Sequence, residues 1–182
     1  GMFVSNISFG IPVLASIKDA ADIVMDVHLM IEEPIRYVEA FHKAGADILN
    51  VHYEACEDVQ ATLDAIHKCG MKAGLTIKPA TPVEMLKPYL DQAELFLIMS
   101  VEPGKGGQSF IPESLDKIRE LRGLLNEKGL TADVEVDGGI HLGNAKEVLE
   151  SGANVLVAGS AVFKDNIAEN VKGFMEILNE NE

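Results

Sequence analysis

Leu95-Phe96-Leu97-Ile98-Met99 is an unbroken apolar run of strand length, set between Glu94 and Ser100. A strand with one wet face alternates apolar with polar residues, whereas one this apolar is covered on both faces, which implies a parallel sheet wrapped by helices. Working outward, similar short β-branched segments occur at Ile23 to Leu29, Ile48 to His52, Ala73 to Lys78, Asp133 to Asp137 and Val155 to Gly159, and the quoted run extends to Val101. Segments of helical period alternate with them: Pro34 to Lys43, Asp58 to Cys69, Pro82 to Tyr89, Pro112 to Lys128, Gly143 to Ser151 and Asn166 to Asn179. Prolines mark several helix starts, and Gly45, Gly70, Gly129 and Gly152 stand just past helix ends.

A parallel sheet of this kind is either open and doubly wound or closed into a barrel. A nucleotide-binding open sheet carries G-x-G-x-x-G after its first strand, but the segment after Leu29 reads Met30-Ile31-Glu32-Glu33-Pro34, which favours the barrel. In a barrel, chemistry belongs at the C-terminal strand ends and the loops that follow. Those ends are polar: Asp26-Val27-His28, Asn50-Val51-His52, Thr76-Ile77-Lys78, Glu135-Val136-Asp137 and Gly159-Ser160. Alternation puts Asp26, His28 and Met30 on one face and Val27 and Leu29 on the other, so polar residues can face the barrel while apolar ones meet the helices.

The 182 residues, 47% hydrophobic and 24% charged, suit one globular domain spanning the chain. With 15 Lys and Arg against 29 Asp and Glu, the net charge of −14 repels polyanions, which argues against nucleic acid and anionic membrane as partners. No apolar run approaches the ~18 residues of a membrane span, and no secretion signal is evident, so a cytoplasmic protein is expected. Cys56 and Cys69 match no zinc or redox spacing and read as partly buried thiols.

Three glycine clusters follow late strands: Gly104-Lys105-Gly106-Gly107, Asp137-Gly138-Gly139 and Gly159-Ser160. Backbone N–H groups in such loops suit a phosphate dianion, and three clusters on one rim point to it more strongly than one, which could be a plain turn. His28 and Asp137 are acid–base and metal candidates. Alone, the first could be a hydrogen-bonded core histidine and the second a turn residue; together, an imidazole and a carboxylate can hold a divalent ion with positions left for substrate oxygens. His52 is a further candidate whose alternative is a structural role, while His42, His67 and His141 read as solvated. Met30 and Met99 can line the mouth or simply fill core.

These same segments, Asp26 to Pro34 (DVHLMIEEP), Ser100 to Pro112 (SVEPGKGGQSFIP), Val134 to Ile140 (VEVDGGI) and Val155 to Phe163 (VLVAGSAVF), resemble ribulose-phosphate 3-epimerases, as do Ala44 to Asp47 and Lys78 to Pro82. The resemblance runs the length of the chain in order. It implies a (β/α)8 TIM barrel of the ribulose-phosphate-binding type, a place in the pentose phosphate pathway, and assembly into dimers or larger homo-oligomers. It implies one divalent metal ion (zinc, iron, manganese or cobalt) on the substrate's C2 and C3 oxygens, and two Asp residues moving the C3 proton between D-ribulose 5-phosphate and D-xylulose 5-phosphate. By the same resemblance Asp137 is catalytic and a metal ligand, and His28 is a second ligand that also touches substrate. Gly104, Lys105, Gly106 and Gly107, with Asp137, Gly138 and Gly139, are substrate-binding, and Gly159 with Ser160 holds phosphate. Related epimerases act on D-allulose 6-phosphate with a similar site.

The resemblance also exposes a gap. The family's first strand carries a substrate-binding Ser, and its second ends in H-V-D-x-M-D-G, which supplies a His ligand and the other catalytic Asp. The six strand candidates here begin after those elements, so the chain is expected to lack the first βα unit and second strand of the barrel. On that reading it could bind phosphate without catalysis. Lys105 stands where the family has an aromatic residue, and is either a solvated loop lysine or a mobile cation that recruits phosphate.

Overall fold

The structure is a computed structural model describing residues 1–181. Six parallel strands lie in one sheet in sequence order: β1 (Asp26–Leu29), β2 (Ile48–His52), β3 (Lys72–Ile77), β4 (Leu95–Met99), β5 (Asp133–Asp137) and β6 (Val155–Val157). Helices α1 (Ile11–Ala20), α2 (Val38–Lys43), α3 (Val59–Lys68), α4 (Ser114–Glu127), α5 (Ala145–Glu150), α6 (Ser160–Phe163) and α7 (Ile167–Asn179) accompany them. The alternation expected of a sheet-and-helix protein is therefore present, with six strands in a curled, open barrel.

Alternation along the strands builds two separate apolar clusters. Leu29, Leu49, Val51, Leu75, Ile77, Phe96, Ile98, Val134 and Val136 point outward and form the main core with the helices. Helix α3 meets it through Val59, Leu63 and Ile66, and α4 through Leu115, Ile118, Leu121 and Leu125, the three-and-four spacing of a helix with one buried face. The inner face carries a smaller cluster, Leu95, Leu97, Met99 and Val101 with Met30 and Ile48. Thus β4 is apolar on both sides, while β2 and β5 place Asn50, His52 and Glu135 inward, all buried.

Several boundaries differ from the sequence expectation. Strand β1 begins at Asp26, leaving Ile23 and Val24 exposed, because the backbone of Met25 is held by the Asp47 carboxylate and β1 pairs on one side only. The segment Val83–Tyr89 is a 3-10 helix, with Val83 and Leu86 buried three residues apart and Pro88 inside it; Pro34–Tyr37 is likewise 3-10 before α2 begins. Helix α1 was not expected: only Leu14 is buried along it, so it has little amphipathic signal, and the Lys18–Asp47 ion pair at 2.9 Å fastens it to the chain entering β2.

Strands β1 and β6 each have one unpaired side; Ile23 and Val24, just before β1, and Phe163, shortly after β6, are exposed, as are Ile7 and Phe9. Free parallel edges beside exposed apolar residues template further pairing. Sedimentation velocity is therefore expected to find dimers or larger species of the 182-residue chain, reduced by a lysine at Val24; a monodisperse monomer at high concentration would contradict this.

Candidate active site

Neighbouring strands are ~4.8 Å apart, so in a flat sheet β1 and β5 would be separated by ~19 Å. The curl instead brings His28 Nδ1 at the end of β1 within 3.6 Å of Asp137 Oδ2 at the end of β5, with both side chains mostly buried. They border a cavity of about 940 Å³ at the C-terminal rim. Gly104 to Gly107, Gly138, Gly139, Gly159, Ser160, Met30 and Met99 border the same cavity, so the candidates drawn from the sequence converge on one space. Met99 belongs chiefly to the inner core, at 1% exposure, and Lys105 is exposed on its loop.

The turn after Asp137 admits only glycine. Gly138 and Gly139 have φ of +127° and +64°, and a Cβ on either would run into Val101 or the backbone of Phe110. Ser100, buried, locks this turn: its Oγ donates to the carbonyls of Asp137 (3.0 Å) and Gly138 (2.7 Å), and its N–H donates to Asp137 O (2.9 Å). The glycine loop of residues 104–107 is held by Gln108, whose Nε2 donates to the carbonyls of Glu102 and Lys105, each at 2.7 Å.

Behind His28 lies a polar chain. His28 Nε2 is 2.8 Å from His52 Nε2, and His52 Nδ1 is 3.2 Å from Glu54 Oε2. Glu54 Oε1 accepts from the N–H of Lys78 (2.8 Å) and from the Thr81 hydroxyl. Burial holds His52 well below the usual histidine range, at about 4, despite the opposing Glu54 hydrogen bond. Burial alone would raise Glu54, but the hydrogen bonds from His52, Thr81 and Lys78 outweigh it and hold the carboxylate at about 2. Phe3 packs on the His52 ring at 4.7 Å between centroids. His52 is thus a buried partner of His28 rather than a wall of the cavity; His42, His67 and His141 are exposed.

One layer deeper, Asn50 Nδ2 donates both to Asp26 Oδ1 (3.1 Å) and to Glu135 Oε2 (3.0 Å), tying β1 and β5 through β2. Gly74 on β3 leaves the room this side chain needs, since a Cβ there would overlap the Asn50 amide. Burial, then the charges of Asp26 and Asp137, push Glu135 up to about 8. The roles of Ser100, Glu54 and the bridging Asn50 do not stand out in the sequence; the inward alternation of Asn50 with His52 and the His-x-Glu spacing of His52 and Glu54 are the signals it carries. Cys56 is half-buried, donates to the His52 carbonyl, and has its thiol raised to about 11 by burial, which makes it a poor nucleophile.

His28 Nδ1 and Asp137 Oδ2, 3.6 Å apart, are a nitrogen and an oxygen of the kinds that divalent ions take as ligands. Among the described residues no group of three His, Cys, Asp or Glu side chains is placed to hold one. No helix of the described residues is long and apolar enough to cross a membrane.

A curled parallel sheet with its polar residues gathered at the C-terminal rim defines a barrel-type α/β enzyme scaffold. A 3-hexulose-6-phosphate synthase structure from Salmonella typhimurium superposes with a TM-score of 0.73 at 16% identity, covering 95% of this chain and 82% of that one. Orotidine 5'-phosphate decarboxylase from Pyrococcus horikoshii OT3 gives 0.67 at 15% identity, over 93% and 81%. The sequence is more specific. The profile of the "Ribulose-phosphate 3 epimerase family" matches residues 1–163. Ribulose-phosphate 3-epimerase of Synechocystis is 51% identical over 176 residues, 95% of this chain and 76% of that protein. The Bacillus subtilis protein of the same name is 48% identical over 164 residues, 90% and 76% respectively, and the chloroplastic enzyme of Arabidopsis thaliana is 47% identical over 95% of this chain and 63% of that protein. The chain belongs to the ribulose-phosphate 3-epimerase family.

The elevated Glu135 carboxyl has a stability consequence. Its folded-state value lies above the ordinary 4.5, so the folded chain holds more protons than the unfolded one between that value and about 8, and stability falls as pH rises through this window. Glu135→Gln keeps an acceptor for Asn50 without the charge. At pH 8 it is expected to raise Tm by about 2–4 °C, the response to ~1 kcal/mol in a chain of this size, and to flatten the pH profile measured by thermal melts.

Proposed function

We propose that this cavity is the sugar-phosphate site of a metal-dependent 3-epimerase interconverting D-ribulose 5-phosphate and D-xylulose 5-phosphate. The observation that carries the reading is the convergence of His28 and Asp137 at 3.6 Å on a cavity bordered by the three glycine segments, in a chain whose relatives are named for that reaction. Asp137 is the acid–base group that takes or returns the C3 proton on one face of the sugar, held in place by Ser100 through its backbone. His28 and Asp137 would together hold the divalent ion, with its remaining positions filled from elsewhere. When bound, that ion supplies the positive charge that makes a proton next to a carbonyl removable.

The backbone amides of Gly138, Gly139 and Gly159 and the Ser160 hydroxyl suit the phosphate. Lys105, exposed on the glycine loop, adds a cation at the entrance. The net charge of −14 does not oppose this, because distant charges are screened beyond ~8–10 Å while the amides act at contact.

A second reading concerns the chain by itself. Epimerisation needs proton transfer on both faces of the planar intermediate, and Asp137 serves one. With the sheet unpaired at β1 and β6, we infer that the six strands correspond to the last six of an eight-stranded barrel. The strands bearing the other acid–base Asp and the further ligand are then not among these residues. The chain alone then binds the sugar phosphate without turning it over, and assembly of copies through the open edges follows from the same geometry.

Deuterium incorporation at C3 of ribulose 5-phosphate in D2O, followed by NMR, tests both readings. Fused to a segment that supplies the closing strands, the chain is expected to exchange the proton, with Asp137→Asn slowing exchange at least ~100-fold and a chelator stopping it. Exchange indifferent to Asp137→Asn would overturn the epimerase reading, and full turnover by the 182-residue chain alone would overturn the second.

A further inference from the structure

We propose that Glu54 is a positioning residue that acts through His52 to fix the ring tautomer of His28, so that His28 presents an unprotonated Nδ1 to Asp137 and the cavity. The chain of contacts runs without a break from α4 to the rim. Lys117 Nζ donates to the carbonyls of Lys78 (2.9 Å), Pro79 (3.0 Å) and Thr81 (2.7 Å). This clamps the loop whose Lys78 N–H and Thr81 hydroxyl both bind Glu54 Oε1.

The remaining oxygen, Oε2, faces His52 Nδ1 at 3.2 Å. An ionised carboxylate only accepts hydrogen bonds, so the His52 proton is on Nδ1. The His52 ring is wholly buried, and burial disfavours a second, charging proton, which leaves Nε2 as a lone pair. Facing it at 2.8 Å is His28 Nε2; two lone pairs cannot meet at hydrogen-bond distance, so His28 carries its proton on Nε2 and its Nδ1 is bare.

An independent distance supports the same assignment. Were His28 protonated on Nδ1, it would aim an N–H at Asp137 Oδ2, and such a charge-assisted bond closes to ~2.7–2.9 Å. The observed separation is 3.6 Å, too long for that bond and suited to two acceptors facing one another across a gap. A cation or a proton-bearing group of a ligand fits such a gap. Partners behind a histidine commonly set which nitrogen is free and how basic it is. Here a carboxylate acts at second hand, through a second imidazole.

The tautomer follows from these contacts and the burial of His52; its use in holding a metal rests on the proposed function, and the experiment separates the two. Long-range 1H–15N correlation spectra of the metal-free chain, with ring signals assigned by His28→Gln and His52→Gln, are expected to show His52 protonated on Nδ1 and His28 on Nε2. A His28 proton on Nδ1 would overturn the proposal, and this needs no folded Glu54 variant. In Glu54→Gln, whose amide can donate as well as accept, His28 is expected to become a mixture of tautomers. An unchanged wild-type pattern in a Glu54→Gln chain of native Tm would also overturn the proposal. Co2+ affinity is expected to fall ~10–100-fold in that variant. Mixed tautomers with unchanged Co2+ affinity would uphold the role of Glu54 and count against His28 as a metal ligand.

Discussion

The curl of the parallel sheet governs everything that happens at its rim. Alternation along each strand decides which side chains face inward, but in a flat sheet the inward residues of β1 and β5 would never meet. Curling turns residues 109 positions apart in sequence, His28 and Asp137, into neighbours at 3.6 Å, and lets one amide, Asn50, bridge Asp26 and Glu135. The outer core holds the curl: Leu75, Ile77, Phe96, Ile98, Val134 and Val136 pack against the helices while smaller, polar or glycine residues occupy much of the inside. Gly74 is the clearest case, since the Asn50 side chain occupies the space its Cβ would need.

The inner face is costly to build, and the fold offsets that cost locally. Buried polar groups are tolerated when their hydrogen bonds are met. His52, Ser100 and Glu54 meet this condition through side-chain and backbone partners. Glu135 meets it less well, with burial and neighbouring carboxylates driving it toward the neutral form. Regions that the proposed chemistry needs rigid, the Asp137-Gly138-Gly139 turn and the loop carrying Lys78 to Thr81, are clamped by Ser100 and Lys117 respectively.

Much of this was legible in the chain itself. The run at Leu95 to Met99 announced a sheet covered on both faces, and it is buried throughout. His28, Asp137 and the three glycine clusters announced themselves as polar or flexible residues at the ends of apolar strands, and all border one cavity. What stayed hidden depends on contacts between distant elements. Lys117 reads as an ordinary helix lysine until the loop it holds is known, and Glu54 as a surface acid of a short turn. Helix α1 is not legible because only Leu14 is buried along it, so it has no periodic apolar face, and its Lys18–Asp47 pair joins residues 29 positions apart.

Under the proposed function, the curl makes His28 and Asp137 one binding unit. Titration of the chain with Co2+, read by paramagnetic broadening of amide signals, tests it most directly. Signals at His28, Asp137 and Gly138 are expected to broaden together and first, and either His28→Ala or Asp137→Ala is expected to remove the effect at both strands. Broadening centred elsewhere, or persisting at one strand when the other residue is replaced, would contradict it.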